Sequence, residues 1–161
     1  MIRLYLHESH RVYGDKLIDK EDVDSFVKLQ FVSFQGSKKN AEDLNEEECF
    51  RLPNIFCHFS QGIGDSKYAP VESWSSLNKI LVKALDNYNE LNSAMDLVLF
   101  EDAMMHICRI NRILELPHGN ALLIGVGGSG KQSLSRLAAF ISTLEVFQIQ
   151  FRKGKKNFFS F

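Results

Sequence analysis

Residues 121–133 of the chain read ALLIGVGGSGKQS. The first four of these residues have the length and apolar character of a buried parallel strand. After them comes a glycine-rich turn, and from Lys131 to Ser142 apolar residues recur at helical spacing. In this order of elements, successive backbone N–H groups converge on phosphate oxygens at the start of a helix. The pattern therefore predicts a phosphate-binding loop, against the alternative of a glycine-rich turn without a ligand.

The residue after the lysine departs from the usual motif. That position normally holds a serine or threonine, whose hydroxyl ligates Mg²⁺, but here it is Gln132. The next hydroxyl belongs to Ser133, about 100° further around the helix. The amide oxygen of Gln132 could contact the metal or a metal-bound water, but Mg²⁺ prefers carboxylate, hydroxyl and phosphate oxygens. The candidate nucleotide-binding residues are Gly125, Val126, Gly127, Gly128, Ser129, Gly130, Lys131, Gln132 and Ser133, while the metal ligands stay undetermined.

The segment after the predicted loop helix supplies little for hydrolysis. It contains one strand candidate, residues 146–151, and no apolar run that ends in paired acidic residues. Hydrolysis of a nucleotide requires acidic groups that hold the metal and a group that orients water. We therefore assign no catalytic residue and expect the 161-residue chain by itself to show no ATPase activity.

Composition places the chain among ordinary globular proteins. Hydrophobic residues make up 45% and charged residues 24%, with a net charge of −1. This balance gives no reason to expect nucleic acid or a membrane as a general partner. Three cysteines without a secretory segment favour a reducing, cytosolic setting. We interpret Cys49, Cys57 and Cys108 as packing residues.

Periodicity and composition outline the remaining elements. Five amphipathic patterns predict helices at residues 3–13, 20–34, 73–92, 97–115 and 131–142. Two further short apolar runs predict strands at residues 55–59 and 146–151. The polar stretch from Gly36 to Glu48 predicts a linker, with acidic-partner or calcium binding as weaker alternatives. The end, residues 151–161, is basic and aromatic. We interpret it as an unstructured end, although such a composition could also bind anionic lipid or RNA.

Other groups of polar residues give weaker signals. The sequence from His7 to His10 is one residue too short for the zinc motif HExxH, so we interpret it as a surface histidine pair. On the predicted helix 97–115, the charged side chains are expected to face solvent, namely Glu101, Asp102, Arg109 and Arg112.

Two stretches carry a family resemblance. Residues 58–142, which end in GVGGSGKQSLSRLAAFIS, closely resemble the start of the fourth AAA+ module of axonemal dynein heavy chains, most like the outer-arm beta type. Residues 1–35, which contain RLYLHESHRVYGDKLIDKEDVDSF, resemble the helical lid of the preceding, third module. Gln132 is a feature of the family at this module. The last residues, KKNFFSF, do not resemble the family's continuation, which predicts a truncated or alternatively spliced product or a gene model extended into non-coding sequence.

The resemblance implies an α/β fold, a partial P-loop AAA+ domain with an incomplete parallel sheet and helices, preceded by a small helical lid remnant. The predicted boundaries are 1–35 for the lid remnant, 36–52 for the linker, 53–154 for the AAA+ part and 155–161 for a divergent tail. Two or three parallel strands are expected.

The resemblance also implies a function: part of an ATP-driven microtubule motor at the axoneme of a cilium or flagellum, within the cytoplasm and cytoskeleton. The implied cofactors are ATP or ADP, with Mg²⁺ in doubt. The implied partners are other dynein modules and complex subunits, with microtubules reached only through the whole motor. The alternative is a non-catalytic fragment that binds nucleotide weakly or only contacts other ring pieces.

Overall fold

The computed structural model describes residues 1–37, 49, 51–64, 67–150 and 157–160. Most of the predicted linker, residues 38–48, and the segment 151–156 lie outside the described residues. The chain divides into two compact units, Met1–Phe56 and Cys57–Phe161. Among the described helices, none has the length and apolarity that a membrane span requires.

The first unit contains two helices, α1 (Ile2–Val12) and α2 (Lys20–Ser37), with a 3-10 turn at Gly14–Lys16 between them. Both helices confirm the prediction from apolar spacing. Their core is small and consists of Leu6, Phe31 and Cys49, against which Ile2 packs. Gly14 lies in a crowded place between them, because a Cβ there would lie 3.0 Å from the ring of His10 and 3.1 Å from that of Phe26.

Polar contacts join α1 to the segment that follows the linker. The guanidinium of Arg3 donates to the carbonyl oxygens of Arg51 at 3.1 Å and Pro53 at 2.7 Å. Nδ1 of His7 lies 2.9 Å from the carbonyl oxygen of Asn54. These bonds satisfy backbone carbonyls of an irregular segment, which otherwise would need solvent.

The second unit is built around three helices, α3 (Trp74–Leu91), α4 (Glu101–Leu114) and α5 (Lys131–Ile141), which pack against one another. All three confirm the predicted helices. Their shared core is fully or almost fully buried and consists mainly of Leu77, Leu81, Ala84, Ile107, Leu137 and Ala138. Trp74, the first residue of α3, is half-buried.

Specific contacts fix how these helices pack. The rings of Tyr88 on α3 and Phe140 on α5 meet edge to face, with their centroids 5.4 Å apart. The buried amide of Asn111 on α4 donates from Nδ2 to the Ser142 hydroxyl, 2.7 Å away at the end of α5. The end of α5 therefore is held against both of its neighbours.

The strands are short. Strand β1 (Phe56–Cys57) pairs with β2 (Ala69–Pro70), and β3 (Phe147–Gln150) pairs with β4 (Asn157–Ser160). The second pair is antiparallel, with Phe147 opposite Ser160 and Gln150 opposite Asn157.

Two predictions about the strands are wrong. The apolar run 121–124 belongs to neither sheet, and its Leu122 and Ile124 are 87% and 86% exposed. The end of the chain, predicted as unstructured, instead provides β4. An antiparallel partner can lie close by in sequence, as β4 does for β3, whereas a parallel partner requires a crossover of a dozen or more residues. The helices and two small sheets agree with a mixed α and β class, but the expected parallel sheet is not formed by the described strands, since β3 and β4 pair in antiparallel direction.

Candidate phosphate-binding loop

Glycine shapes the loop between residue 124 and α5. Gly128 and Gly130 have φ angles of +80° and +75°, in the left-handed region that favours glycine. A Cβ at either residue would have free space, so backbone conformation and not crowding explains both glycines. Gly125 is different, because a Cβ there would lie 3.0 Å from the Ser129 hydroxyl oxygen and 3.3 Å from Lys131 Nζ. A side chain at residue 125 would therefore crowd the ends of the Ser129 and Lys131 side chains.

The loop leads directly into the N-terminus of α5. Gly130 is the N-cap residue, and no side chain caps this end of the helix. The backbone N–H of Leu134 donates to the Gly130 carbonyl at 2.9 Å, the first bond of the helical ladder. The N–H groups of residues 131–133 precede that bond and have no partner within the helix, so together with the positive end of the helix dipole they would favour an anion at this end.

Lys131 places its ammonium group inside the loop. Nζ donates to the carbonyl oxygens of Gly125 at 2.6 Å and Val126 at 2.7 Å, and to the hydroxyl of Ser129 at 2.9 Å. These three bonds use all three donors of the ammonium group. They also are exposed to solvent, where exchange of one acceptor for another has a small net free energy. The geometry presents a positive charge that phosphate oxygens could share.

The two residues after the lysine differ in environment. Gln132 is exposed and Ser133 is half-buried. The hydroxyl of Ser135 is not available, since it is buried and donates to the Lys131 carbonyl at 2.7 Å. Within the described part of the chain, no group of three or more His, Cys, Asp and Glu side chains is placed to hold a metal. The hydrogen-bond donors of the loop are suited to an anion such as phosphate. As an oxygen ligand for Mg²⁺, the loop provides little beyond the amide of Gln132.

The other predicted site residues lie in separate places. His7 contacts the Asn54 carbonyl, and Nδ1 of His10 lies 3.6 Å from Asp15 Oδ1. The three cysteines are buried, which confirms them as packing residues. Glu101, Asp102 and Arg109 are exposed, as predicted.

The prediction for Arg112 is wrong. Its guanidinium is half-buried and lies over the ring of Tyr68, 4.4 Å from the centroid. The ring of His58 lies 4.8 Å from that of Tyr68. A desolvated cation over an aromatic face is favourable, which explains why this arginine leaves the solvent. Sequence spacing gave no signal for the stack, because its members come from distant segments.

A second concave site, with a volume of about 630 Å³, also was missed. It lies beside the C-terminal half of α3, α5 and the start of β3, and its lining includes Tyr88, Arg136, Phe140 and Glu145. Arg136 donates across it to Gln148 Oε1 at 2.8 Å.

Known proteins match both parts of the chain. Residues 95–159 match the family of the P-loop containing dynein motor region D4, and residues 1–51 match the AAA+ lid domain. The chain is 64% identical over 152 residues to the ciliary dynein beta chain of Heliocidaris crassispina, covering 94% of this chain and 3% of that protein. It is 62% identical over 154 residues to dynein axonemal heavy chain 17 of Homo sapiens, covering 96% and 3%.

The likeness extends to a distant organism. The dynein alpha chain of the flagellar outer arm of Chlamydomonas reinhardtii is 50% identical over 143 residues, which cover 86% of this chain and 3% of that protein. The chain spans about 3% of the length of these relatives. Identity of this extent, across both the lid and the loop, confirms the resemblance: the chain belongs to the axonemal dynein heavy-chain family.

Proposed function

We propose that Gly125 to Ser133 bind the phosphates of ATP or ADP, as the nucleotide loop of a fourth AAA+ module in an axonemal dynein heavy chain. The observation that carries this proposal is the placement of the Lys131 ammonium within a glycine loop that leads into an uncapped helix. A positive charge and free backbone N–H donors then lie side by side, and this combination binds phosphate groups.

Different residues of the loop have different parts in binding the phosphates. Lys131 exchanges one or more of its contacts with the Gly125 and Val126 carbonyls for the outer phosphate oxygens. The N–H groups at the start of α5 donate to the same anion, while Gly128 and Gly130 keep the backbone in the conformation that exposes them. Ser129 keeps a hydroxyl beside the ammonium and helps to hold its position.

The metal is the weaker part of the site. In a nucleotide complex the Gln132 amide would be this chain's own contribution to holding Mg²⁺, directly or through water, and the metal would neutralise charge on the phosphates. After Lys131 the sequence contains a single carboxylate, Glu145, which lines the separate cavity beside Arg136 and Phe140. We therefore propose nucleotide binding without turnover by these 161 residues.

The wider role follows from the family. We propose residues 1–35 as lid, 36–52 as linker, 53–154 as the N-terminal part of an AAA+ module, and 155–161 as a divergent tail. Within a whole heavy chain these parts would serve an ATP-driven microtubule motor at the ciliary or flagellar axoneme. The partners would be other dynein modules and complex subunits. We propose neither nucleic acid nor a membrane as partner.

A second candidate is a non-catalytic piece that only contacts other ring modules. The exposure of Leu122 and Ile124 favours this candidate, because these apolar side chains would be more stable against a neighbouring strand than in water. Nucleotide affinity distinguishes the two candidates, since only the first requires it.

The test is a titration of the 161-residue chain with a fluorescent ATP analogue. Lys131→Ala should weaken binding roughly ten- to a hundred-fold, because a charge-assisted hydrogen bond contributes about 1.5–3 kcal/mol. Lys83→Ala, on the exposed face of α3, is the matched control and should bind as the native chain does. Equal affinities for the native chain and Lys131→Ala would contradict the assignment of the loop.

A further inference from the structure

The cavity beside α3, α5 and β3 is lined by two opposite charges that do not pair with each other. Its volume of about 630 Å³ lies within the range of about 300–1,000 Å³ that is usual for small-molecule sites. Arg136 and Glu145 both line it. Among the described residues, however, neither of these side chains forms an ion pair. A cation and a carboxylate therefore lie at one cavity, each without a charged partner.

Gln148 orients the cation. The guanidinium of Arg136, on α5, donates from one nitrogen to Gln148 Oε1, 2.8 Å away on β3. A guanidinium carries five N–H groups, so this bond leaves donors for a further acceptor. The side chain is half-buried, and its planar fork matches a carboxylate through two parallel hydrogen bonds. Arg136 is therefore suited to the carboxylate of a ligand.

Aromatic rings lie beside this guanidinium. Phe140 follows Arg136 by four residues in α5, so both side chains belong to the same face of the helix. The ring of Tyr88, on α3, meets that of Phe140 edge to face at 5.4 Å between centroids, and both rings line the cavity. Apolar side chains of Leu144 and Val146 line it as well. Such a wall favours an aromatic or branched apolar group.

A fixed turn positions Glu145. After α5, the N–H groups of Thr143 and Leu144 donate to the carbonyls of Phe140 at 3.1 Å and Ala139 at 2.9 Å, which is a Schellman motif. Thr143 has a φ angle of +56°, a conformation that is rare for a β-branched residue. Strained residues of this kind concentrate at ligand sites, where the surrounding structure holds them in place. The turn therefore fixes the backbone from which Glu145 lines the cavity.

We propose that this cavity binds a small zwitterion with an aromatic or branched apolar side chain, namely an α-amino acid. The Arg136 guanidinium donates to its carboxylate, its ammonium group donates to the Glu145 carboxylate, and its side chain packs beside Tyr88 and Phe140. A simple anion would leave Glu145 unpaired, and a simple cation would leave Arg136 unpaired. Residues 125–133 do not line the cavity, so this binding does not depend on the proposed nucleotide loop.

The first test compares ligands on the native chain. Equilibrium dialysis of the full chain with radiolabelled L-phenylalanine at neutral pH should show saturable binding. Hydrocinnamate, which lacks the ammonium group, and phenethylamine, which lacks the carboxylate, should each compete roughly ten-fold or more weakly than unlabelled phenylalanine, because each loses a charge-assisted hydrogen bond. This comparison requires no substitution, so it does not depend on whether a variant folds.

The second test changes each charge of the site. Arg136→Met and Glu145→Gln should bind phenylalanine roughly ten-fold or more weakly than the native chain. In Glu145→Gln the preference for phenylalanine over hydrocinnamate should also disappear, because the partner of the ammonium group is gone. Lys83→Met and Glu72→Gln, at exposed residues outside the cavity, remove the same charges and should bind as the native chain does. Circular dichroism checks that all four variants keep their helices.

Several results would overturn the proposal. One is the absence of saturable phenylalanine binding to the native chain. Another is competition by hydrocinnamate or phenethylamine that equals that of phenylalanine, since the cavity then would not recognise both charges. Equal losses of affinity in the site variants and in their matched controls would likewise show that binding occurs elsewhere.

Discussion

Lys131 and Gln132 are adjacent but serve the candidate site in different ways. Lys131 is held by three acceptors inside the loop, whereas Gln132 is exposed at the start of α5. An ammonium group contributes to phosphate affinity with or without a metal. A hydroxyl at position 132 would contribute mainly through Mg²⁺. The positive charge of the site can therefore be changed at Lys131 and its dependence on Mg²⁺ at Gln132.

Replacing Gln132 by serine should make nucleotide affinity depend on magnesium. The serine hydroxyl would stand where the usual motif has its Mg²⁺ ligand, and serine is tolerated at the exposed first turn of a helix. We expect Mg²⁺ to tighten binding several-fold more in Gln132→Ser than in the native chain, measured by titration of a fluorescent nucleotide with and without a chelator. Lys83→Ala, on the exposed face of α3 outside the loop, is the control. An identical response to Mg²⁺ in all three chains would count against the metal argument.

Single residues were predictable where backbone geometry decides. The sequence predicted a glycine-rich turn, and Gly128 and Gly130 in that turn have positive φ angles, which few other residues adopt. Arg112 was not predictable, since its place over the Tyr68 ring depends on a segment distant in sequence. The local sequence is therefore sufficient to predict the loop, whereas contacts between distant segments can be identified only from the folded structure.

Among the elements, α3 has the best-defined beginning. The Ser73 hydroxyl oxygen accepts from the Ser76 N–H at 3.1 Å, and the Ser76 hydroxyl oxygen accepts from the Ser73 N–H at 3.2 Å. This reciprocal pair is a capping box that satisfies two backbone donors. Since Leu77 and Leu81 of the same helix are fully buried, the start of α3 also positions much of the second unit's core.

Removing the cap should destabilise the second unit. Ser73→Ala loses both the side-chain acceptor and the reciprocal arrangement, and we expect the free energy of unfolding to fall by about 1 kcal/mol. Guanidinium unfolding followed by circular dichroism measures the change. Ser75→Ala, an exposed serine in the first turn of α3, should shift the midpoint little. If both variants unfold alike, the capping box does not stabilise α3.

The helices were predicted well and the strands poorly, for one physical reason. An amphipathic helix makes its hydrogen bonds within itself, so the spacing of Leu77, Leu81 and Ala84 was sufficient. A strand makes its bonds with another segment, so the run 121–124 predicts a strand only if a partner lies beside it. Residues 147–150 did find a partner, but in β4 and with antiparallel direction.

At the scale of the whole molecule, the run before the loop leaves apolar surface in water. Leu122, Ile124 and Val126 alternate along the chain and are 87%, 86% and 79% exposed. Alternate residues of an extended segment point to the same side, and such an edge without charge favours association with another chain.

Lysine at these positions should therefore reduce self-association. We expect the native chain to sediment as aggregates or oligomers, and Leu122→Lys combined with Ile124→Lys to shift it toward monomer, because charge on an unpaired edge opposes pairing. Val98→Lys, at a residue 74% exposed outside this run, is the control and should leave sedimentation unchanged. A monomeric native chain, or equal relief from the control, would contradict this expectation.

The position of Trp74 makes the second unit separately observable. The chain has a single tryptophan, and it lies half-buried at the first turn of α3. Indole emission upon denaturation therefore follows only residues 57–161, whereas the helical signal of circular dichroism includes α1 and α2 of residues 1–56. Comparison of the two signals over one denaturant series distinguishes a single cooperative transition from two independent ones. The native chain thus carries its own spectroscopic label for one half, with no dye attached.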